Sequence, residues 1–270
     1  LDASQLISIA LGGVVGFLLS LTGAGGAILS VPLLGFGLHL TVPQAGPIGL
    51  LAVCLASAIG GLLGLRAGIL RYRAASFIAL FGLILSPLGI WLAQRIPNQP
   101  LSIGFASILM IVATRLLIAA YREMQGTRKK TLRPPPCQLN QSIGKLIWTV
   151  PCARSLAFAG ALAGFFSGLL GVGGGFIIVP SLKRFTDLPV QSIVATSLGV
   201  LTIVSFGNVA IASLTGNMLW PIALPFASGA LAGMLCGQRI SKRISGPRLQ
   251  QFFAIFSLCV ACTMMIQALV

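Results

Sequence analysis

Residues 171–180 read GVGGGFIIVP, and 148 positions earlier residues 23–32 read GAGGAILSVP. A tight cluster of glycines, an apolar run and a Val-Pro pair thus occur twice. Gly23, Gly25 and Gly26 fall on Gly171, Gly173 and Gly174, and the match extends outward from there. Gly16-Phe17 meets Gly164-Phe165, Ser57 meets Ser205, and Gly68 meets Gly216. With a small difference in length, Gln94-Arg95-Ile96 meets Gln238-Arg239-Ile240. Self-similarity this extensive marks a duplicated unit, here of roughly four segments.

The surrounding composition is that of a membrane protein. Of 270 residues, 56% are hydrophobic and 8% charged, against about 25% charged in soluble domains. The mean hydropathy is +1.00. Uncharged stretches of about 20 residues follow one another, each long enough to cross a hydrocarbon core about 30 Å thick. The segments expected in the first half are 4–38 (interrupted at the glycines), 44–65, 74–93 and 101–120. Those in the second are 155–182 (interrupted likewise), 190–214, 219–238 and 249–270. Residues 1–20 lack a basic leader and are repeated at mid-chain, so they read as structure and not as a signal peptide.

A net charge of +15 would suit a nucleic-acid binder, but the basic residues sit in short loops, where cytoplasmic loops carry them. Their distribution selects a topology. If all eight segments cross, ten basic residues face the cytoplasm and seven face outward. If each interrupted segment is a hairpin that enters and leaves on one face, sixteen face inward, Arg95 alone faces outward, and Arg115 lies in a span. The second arrangement fits the positive-inside tendency far better. A hairpin plus three spans is an odd number of crossings, so the two repeats would be inverted. The expected fold is therefore an all-α polytopic membrane protein of two inverted repeats, each a re-entrant hairpin plus three transmembrane helices. Residues 1–120 form the first repeat, 121–154 a basic cytoplasmic linker, and 155–270 the second repeat.

Inverted repeats commonly place a substrate site near the bilayer midplane, between the repeats. Irregular backbone at that depth must be buried in protein or line a watery cavity. The N–H groups opening each second arm, at Gly26 to Leu29 and Gly174 to Ile177, have no intrahelical partners. With the helix dipole behind them they attract anions. Close helix packing would explain a single glycine cluster. The duplication, the short second arm and the charge count favour a binding tip instead. The candidate substrate-binding residues are Gly23, Ala24, Gly25 and Gly26 in the first copy and Gly171, Gly173, Gly174 and Gly175 in the second. Thr196, Ser197 and Asn208, in the span after the second hairpin, add polar groups, as does Ser57 in its repeat mate. Each of these four would serve equally to tie neighbouring helices together.

The acidic residues are Asp2, Glu123 and Asp187, all at segment ends or in loops, so no carboxylate cage or midplane proton relay has a candidate. One histidine and the lack of GxSxG or HExxH speak against an enzyme. The six cysteines are scattered, with no disulfide framework visible, and the CxxC at 259–262 lacks a second ligand pair for zinc. No cofactor and no metal are expected. The expected partners are a small anion and the lipid bilayer, with no nucleic acid; a homodimer is allowed.

The duplicated glycine tip with its Val-Pro ending, together with Ala195-Thr196-Ser197-Leu198, resembles the TauE/SafE family across essentially the whole chain. That resemblance implies a multi-pass carrier in the cytoplasmic membrane, exporting small sulfur-containing anions such as sulfite or organosulfonates. The first copy departs from the pattern: Ala27 replaces the third glycine, and PQAGPIGLL (43–51) stands where the second half has VQSIVATSL (190–198). An asymmetric site is therefore expected. The competing readings are a carrier of another small anion and a non-transporting membrane scaffold.

Overall fold

The computed structural model describes residues 3–22, 26–125, 136–137, 139–140, 145–146, 148–241 and 247–269. Within these the chain is almost entirely helical. The first half contains α1 (Ala3–Thr22), a 3-10 turn (Gly26–Leu29) leading into α2 (Ser30–Leu38), α3 (Val42–Arg66), α4 (Tyr72–Arg95) and α5 (Asn98–Met124). The second contains α6 (Val150–Leu170), α7 (Gly175–Phe185), α8 (Val190–Leu214), α9 (Trp220–Ser241) and α10 (Pro247–Leu269). Eight of these helices, all but α2 and α7, are long and apolar enough to cross a membrane. The chain is a multi-pass membrane protein.

Local sequence sets the helix ends. Thr41 and Gln44 form a capping box at the start of α3, satisfying two otherwise orphaned N–H groups. Gly68 and Gly216, matched by the repeat, follow the ends of α3 and α8 with φ of 69° and 70°. Helix α6 begins five residues before the expected 155. Thr149 caps it by accepting from the Cys152 N–H at 3.3 Å, and Pro151 stands in its first turn, where a missing N–H costs nothing.

Helix directions follow from which residues meet. Gly12 and Gly16 of α1 lie on Phe226 and Ala230 of α9, so these helices run parallel. Gly160, Gly164 and Gly168 of α6 lie on Ile78, Gly82 and Ser86 of α4, again in parallel. Gly64 and Gly61 of α3 meet Ala195 and Gly199 of α8, which makes that pair antiparallel. The α3–α4 turn is tight, with Ile69 and Leu70 N–H both bonded to Gly64 O, so α4 reverses α3. Helices α6 and α8 therefore run the same way, and α7 between them returns the chain to the face where α6 began. By the same reasoning α1 and α3 run the same way and α2 returns the chain between them.

Cys137 confirms the return in the second copy. It forms a disulfide with Cys152 at the start of α6. Its backbone N–H donates to Phe185 O at the end of α7, at 3.0 Å, and its own O accepts from Asp187 N–H. This corrects the expectation of six scattered cysteines. Both sulfurs are buried at the foot of the hairpin, a juxtaposition made by the fold between residues 15 apart.

Glycine rows cement the helix pairs. A Cβ on Gly16 would overlap the Ala230 carbonyl, one on Gly233 the Gly13 carbonyl, and one on Gly164 the Gly82 carbonyl. Lipid tails are as apolar as leucine, so membrane helices associate through such close packing and not through exclusion from water. Both rows join a helix of one repeat to a helix of the other, so the halves interlock.

Candidate functional site

The second glycine tip turns on three left-handed residues within four positions. Gly171, Gly173 and Gly174 have φ of 70°, 74° and 70°, a conformation that glycine adopts freely and L side chains adopt at a cost. Gly171 caps α6, its N–H bonded to Ser167 O at 2.9 Å. The first bond of α7 is Ile177 N–H to Gly174 O at 3.0 Å. The N–H groups of Gly174, Gly175 and Phe176 precede that bond and have no partner among the described residues, so of the expected donors Gly174–Ile177 only Ile177 is removed. Gly171 to Phe176 are all buried, while Lys183 and Arg184 occupy the last turn of α7. Positive charge at that end complements the helix dipole.

The tip is wedged between α3 and α8. Gly171 lies backbone to backbone on Gly46, and a Cβ on Gly49 would stand 3.5 Å from Gly171 O. The open face of Gly173 looks onto Leu201, Ser205 and Val53. Val53 is 11 residues into α3 and Ser205 is 15 into α8, each helix being 25 residues long. At about 1.5 Å per residue, the tip sits near the middle of both helices.

The described part of the first tip, from Gly26 on, differs from its mate. Gly23, Ala24 and Gly25 lie outside the described residues. Gly26 is buried against the Leu18–Leu19 backbone and opens a 3-10 turn. Its φ is not among the positive ones, unlike that of its repeat mate Gly174. That 3-10 turn and α7 are in contact, so the two tips approach each other. Ser30, just beyond the first tip, bonds Ala27 O at 2.7 Å and lies against Gly49.

A cavity of about 150 Å³ reaches the second tip, with Gly168, Gly171, Asn208, Gln44, Gln94 and Asn217 in its wall. Its polar side chains are the amides and Thr215, and none of its lining residues is charged. A wider cavity of about 540 Å³ lies beside α2, lined in part by Val31, Pro32, Asn98, Ser102 and Gln267. Both cavities include Val42, at the end of α3 remote from the linker.

The α8 candidates separate. Asn208 is fully buried and lines the smaller cavity; its Oδ1 accepts from Ser86 Oγ and its Nδ2 donates to Ser167 Oγ at 3.0 Å. It therefore ties α8 to α4 and α6. Thr196 and Ser197 lie two turns or more nearer the start of α8. Thr196 Oγ1 accepts from the Arg71 N–H at 3.1 Å, and Ser197 Oγ bonds Val194 O at 2.8 Å. Ser57 bonds Cys54 O at 3.2 Å and shares a 3.0 Å hydrogen bond with Thr202 Oγ1.

The family described as sulfite exporter TauE/SafE matches residues 8–264. The chain belongs to this family. It is 30% identical over 264 residues to a "probable membrane transporter protein" of Xylella fastidiosa, covering 96% of this chain and 94% of that one. It is 24% identical over 281 residues to the "probable membrane transporter protein" YunE of Bacillus subtilis, covering 98% and 99%. A Methanocaldococcus jannaschii protein of the same description is 27% identical over 258 residues, covering 90% and 88%. This TauE/SafE protein is accordingly a membrane transporter.

Sequence reasoning missed two features of this transporter. The glycine rows carried a visible signal, a period of four at Gly160, Gly164 and Gly168 and again at Gly229, Gly233 and Gly237. Asn208's partners Ser86 and Ser167 carried none, because they come from two other helices. Chemically, the tip offers neutral donors at a helix start beside an uncharged cavity, an arrangement that binds anions without a titrating group.

Proposed function

We propose that this chain carries a small oxyanion across the cytoplasmic membrane, and that the substrate is sulfite or an organosulfonate moving outward. The observation that carries the reading is the second tip. A left-handed glycine turn presents the unpaired N–H groups of α7 near the middle of α3 and α8, beside a small cavity with no charged residue in its wall. Donors without a compensating carboxylate favour an anion over a cation. The description of the family as sulfite exporter supports the sulfur-containing substrate and the direction.

In this reading the repeats are inverted in the bilayer, with the 121–154 linker in the cytoplasm and the two cavities facing outward. Helix directions and the placement of basic residues both support it. The interlocked pairs α1–α9 and α4–α6 would then move as bodies built from both repeats, not as two sequence halves.

Uptake of radiolabelled sulfite and methanesulfonate into proteoliposomes tests the reading, with pH and sodium gradients imposed separately. Saturable uptake of either supports it. Uptake confined to another small anion would reassign the substrate. No transport, and no thermal stabilisation by any oxyanion in a broad panel, would favour a membrane scaffold. A tag after Val270 that reports a cytoplasmic location would overturn the inverted arrangement.

A further inference from the structure

We propose that Ser205, with the first N–H groups of α7, forms the seat for the –SO3 group of the substrate, one seat per chain. The proposal rests on the anion-carrier reading above and names the side chain that grips the anion.

Among the described residues two buried hydroxyls lack a partner, Ser205 on α8 and Ser257 on α10, and of the two Ser205 lies against the second tip. Ser197, Thr202 and Ser57 on the same two central helices each donate to a carbonyl of their own helix. Ser205 is 0% exposed, yet its Oγ has no hydrogen-bond partner. A buried donor without an acceptor is costly to keep, and such a group calls for an explanation.

Its position supplies one. A Cβ built on Gly173 would stand 3.2 Å from Ser205 Oγ, with Val53 and Leu201 closing the other sides. The hydroxyl therefore faces the bare backbone of the tip, one residue before Gly174, which caps α7. Gly175 and Phe176 bring two more buried N–H groups without acceptors to the same end of α7. Asn208 is three residues further along α8, on the same helix face, and lines the cavity that reaches Gly171. The seat thus adjoins the path that the cavity provides.

Neutral donors at the tip, the Ser205 hydroxyl and the opening N–H groups of α7, suit a group with several acceptor oxygens on one atom. A sulfonate or sulfite fits that description, whereas a halide has no separate oxygens to engage. The repeat does not reproduce the seat. Ser57, the mate of Ser205, already donates to Cys54 O, and the chain from Gly26 opens as a 3-10 turn. One anion per chain follows.

The test uses the full-length protein with Ser205→Ala, Ser205→Thr and Ser57→Ala, measuring methanesulfonate uptake and the melting temperature with and without methanesulfonate. Ser205→Ala is expected to melt no lower than wild type without ligand, to lose most of the ligand-induced rise, and to raise KM about tenfold or more. Ser205→Thr, which keeps the hydroxyl, is expected to retain most of the affinity, and Ser57→Ala to leave KM within about twofold. Calorimetric titration of the wild type is expected to give one site per chain. If wild type transports while Ser205→Ala keeps its KM, the seat is wrong and the carrier reading stands. If Ser205→Ala destabilises the unliganded protein, the hydroxyl is structural and the seat is again wrong. If wild type neither binds nor moves any oxyanion, both fail together.

Discussion

Gly46 and Gly171 pack backbone on backbone. A methyl built on Gly46 would stand 3.1 Å from the Gly171 α carbon, and one built on Gly171 would overlap Gly46 itself. The second hairpin tip is thus held against α3 with no side chain between them. The two substitutions are not equivalent, because only Gly171 is also left-handed, at φ 70°. Gly171→Ala adds a conformational cost of about 1–2 kcal/mol to an overpacking cost of about 1–3 kcal/mol. Gly46→Ala meets a tight contact but recovers up to about 1 kcal/mol of helix propensity. Thermal melts in detergent are expected to rank wild type highest, then Gly46→Ala, then Gly171→Ala. Equal melts for the two variants would mean that the tip is not wedged as described.

The glycine rows make a second contrast. Gly164→Val would drive a branched side chain into the Gly82 carbonyl of α4, separating the helix pair that joins the two repeats. Gly104, on α5, has open space around its missing Cβ. Gly104→Ala should be neutral or stabilising by up to about 1 kcal/mol, while Gly164→Val should sharply reduce the yield of folded protein. Size-exclusion profiles and melting temperatures of the two variants check this. A well-folded Gly164→Val would show that the α4–α6 contact is looser than the structure has it.

Most of this fold was legible because membrane insertion leaves simple marks in sequence. Long uncharged runs marked the spans, the Lys and Arg at segment ends such as Arg71–Arg73 and Lys183–Arg184 suggested an orientation, and the paired glycine clusters marked the breaks in the first segment of each half. Repeat-matched Gly68 and Gly216 even marked two helix ends. What stayed hidden depends on contacts between distant segments. Cys137 and Cys152 meet only because Cys137 is held against the end of α7, beside the start of α6. Asn208 finds Ser86 and Ser167 only because α8 packs against α4 and α6. Ser205 looked like one more small residue matched to Ser57, and its lack of a hydrogen bond together with its place beside Gly173 sets it apart.

Asn208 is expected to be a structural bridge as well as a cavity wall. Replacing it with alanine strands the buried hydroxyls of Ser86 and Ser167, at about 1–3 kcal/mol for each group left unsatisfied. The same substitution in a Ser86→Ala background should cost less, because one of the stranded partners is already gone. A coupling of about 0.5–3 kcal/mol between the two sites is the expected signature, read from denaturation of the four proteins of the cycle. Strict additivity would mean that the Ser86–Asn208 hydrogen bond does not form in the membrane.

The Cys137–Cys152 disulfide gives a prediction about both stability and topology. It closes a loop of about 15 residues, for which the chain-entropy account gives about 3 kcal/mol. Cys137→Ser and Cys152→Ser should therefore lower the melting temperature equally, and the double variant should melt no lower than either. Wild type with dithiothreitol should converge on the same value. The pair also lies at the foot of the second hairpin, on the face that the proposed orientation puts in the cytoplasm. Both sulfurs are buried, so reduction will be slow, but it should proceed from that face alone. In sealed inside-out vesicles, an impermeant phosphine followed by a bulky maleimide should add two labels that the double variant lacks; right-side-out vesicles should gain neither. Labelling from the outer face instead would place the linker outside and reverse the whole orientation. A disulfide facing the cytoplasm is unusual, since thiols there are kept reduced. Quenching thiols in intact cells before lysis should accordingly reveal a reduced fraction of the pair that grows when the cells are given a permeant reductant.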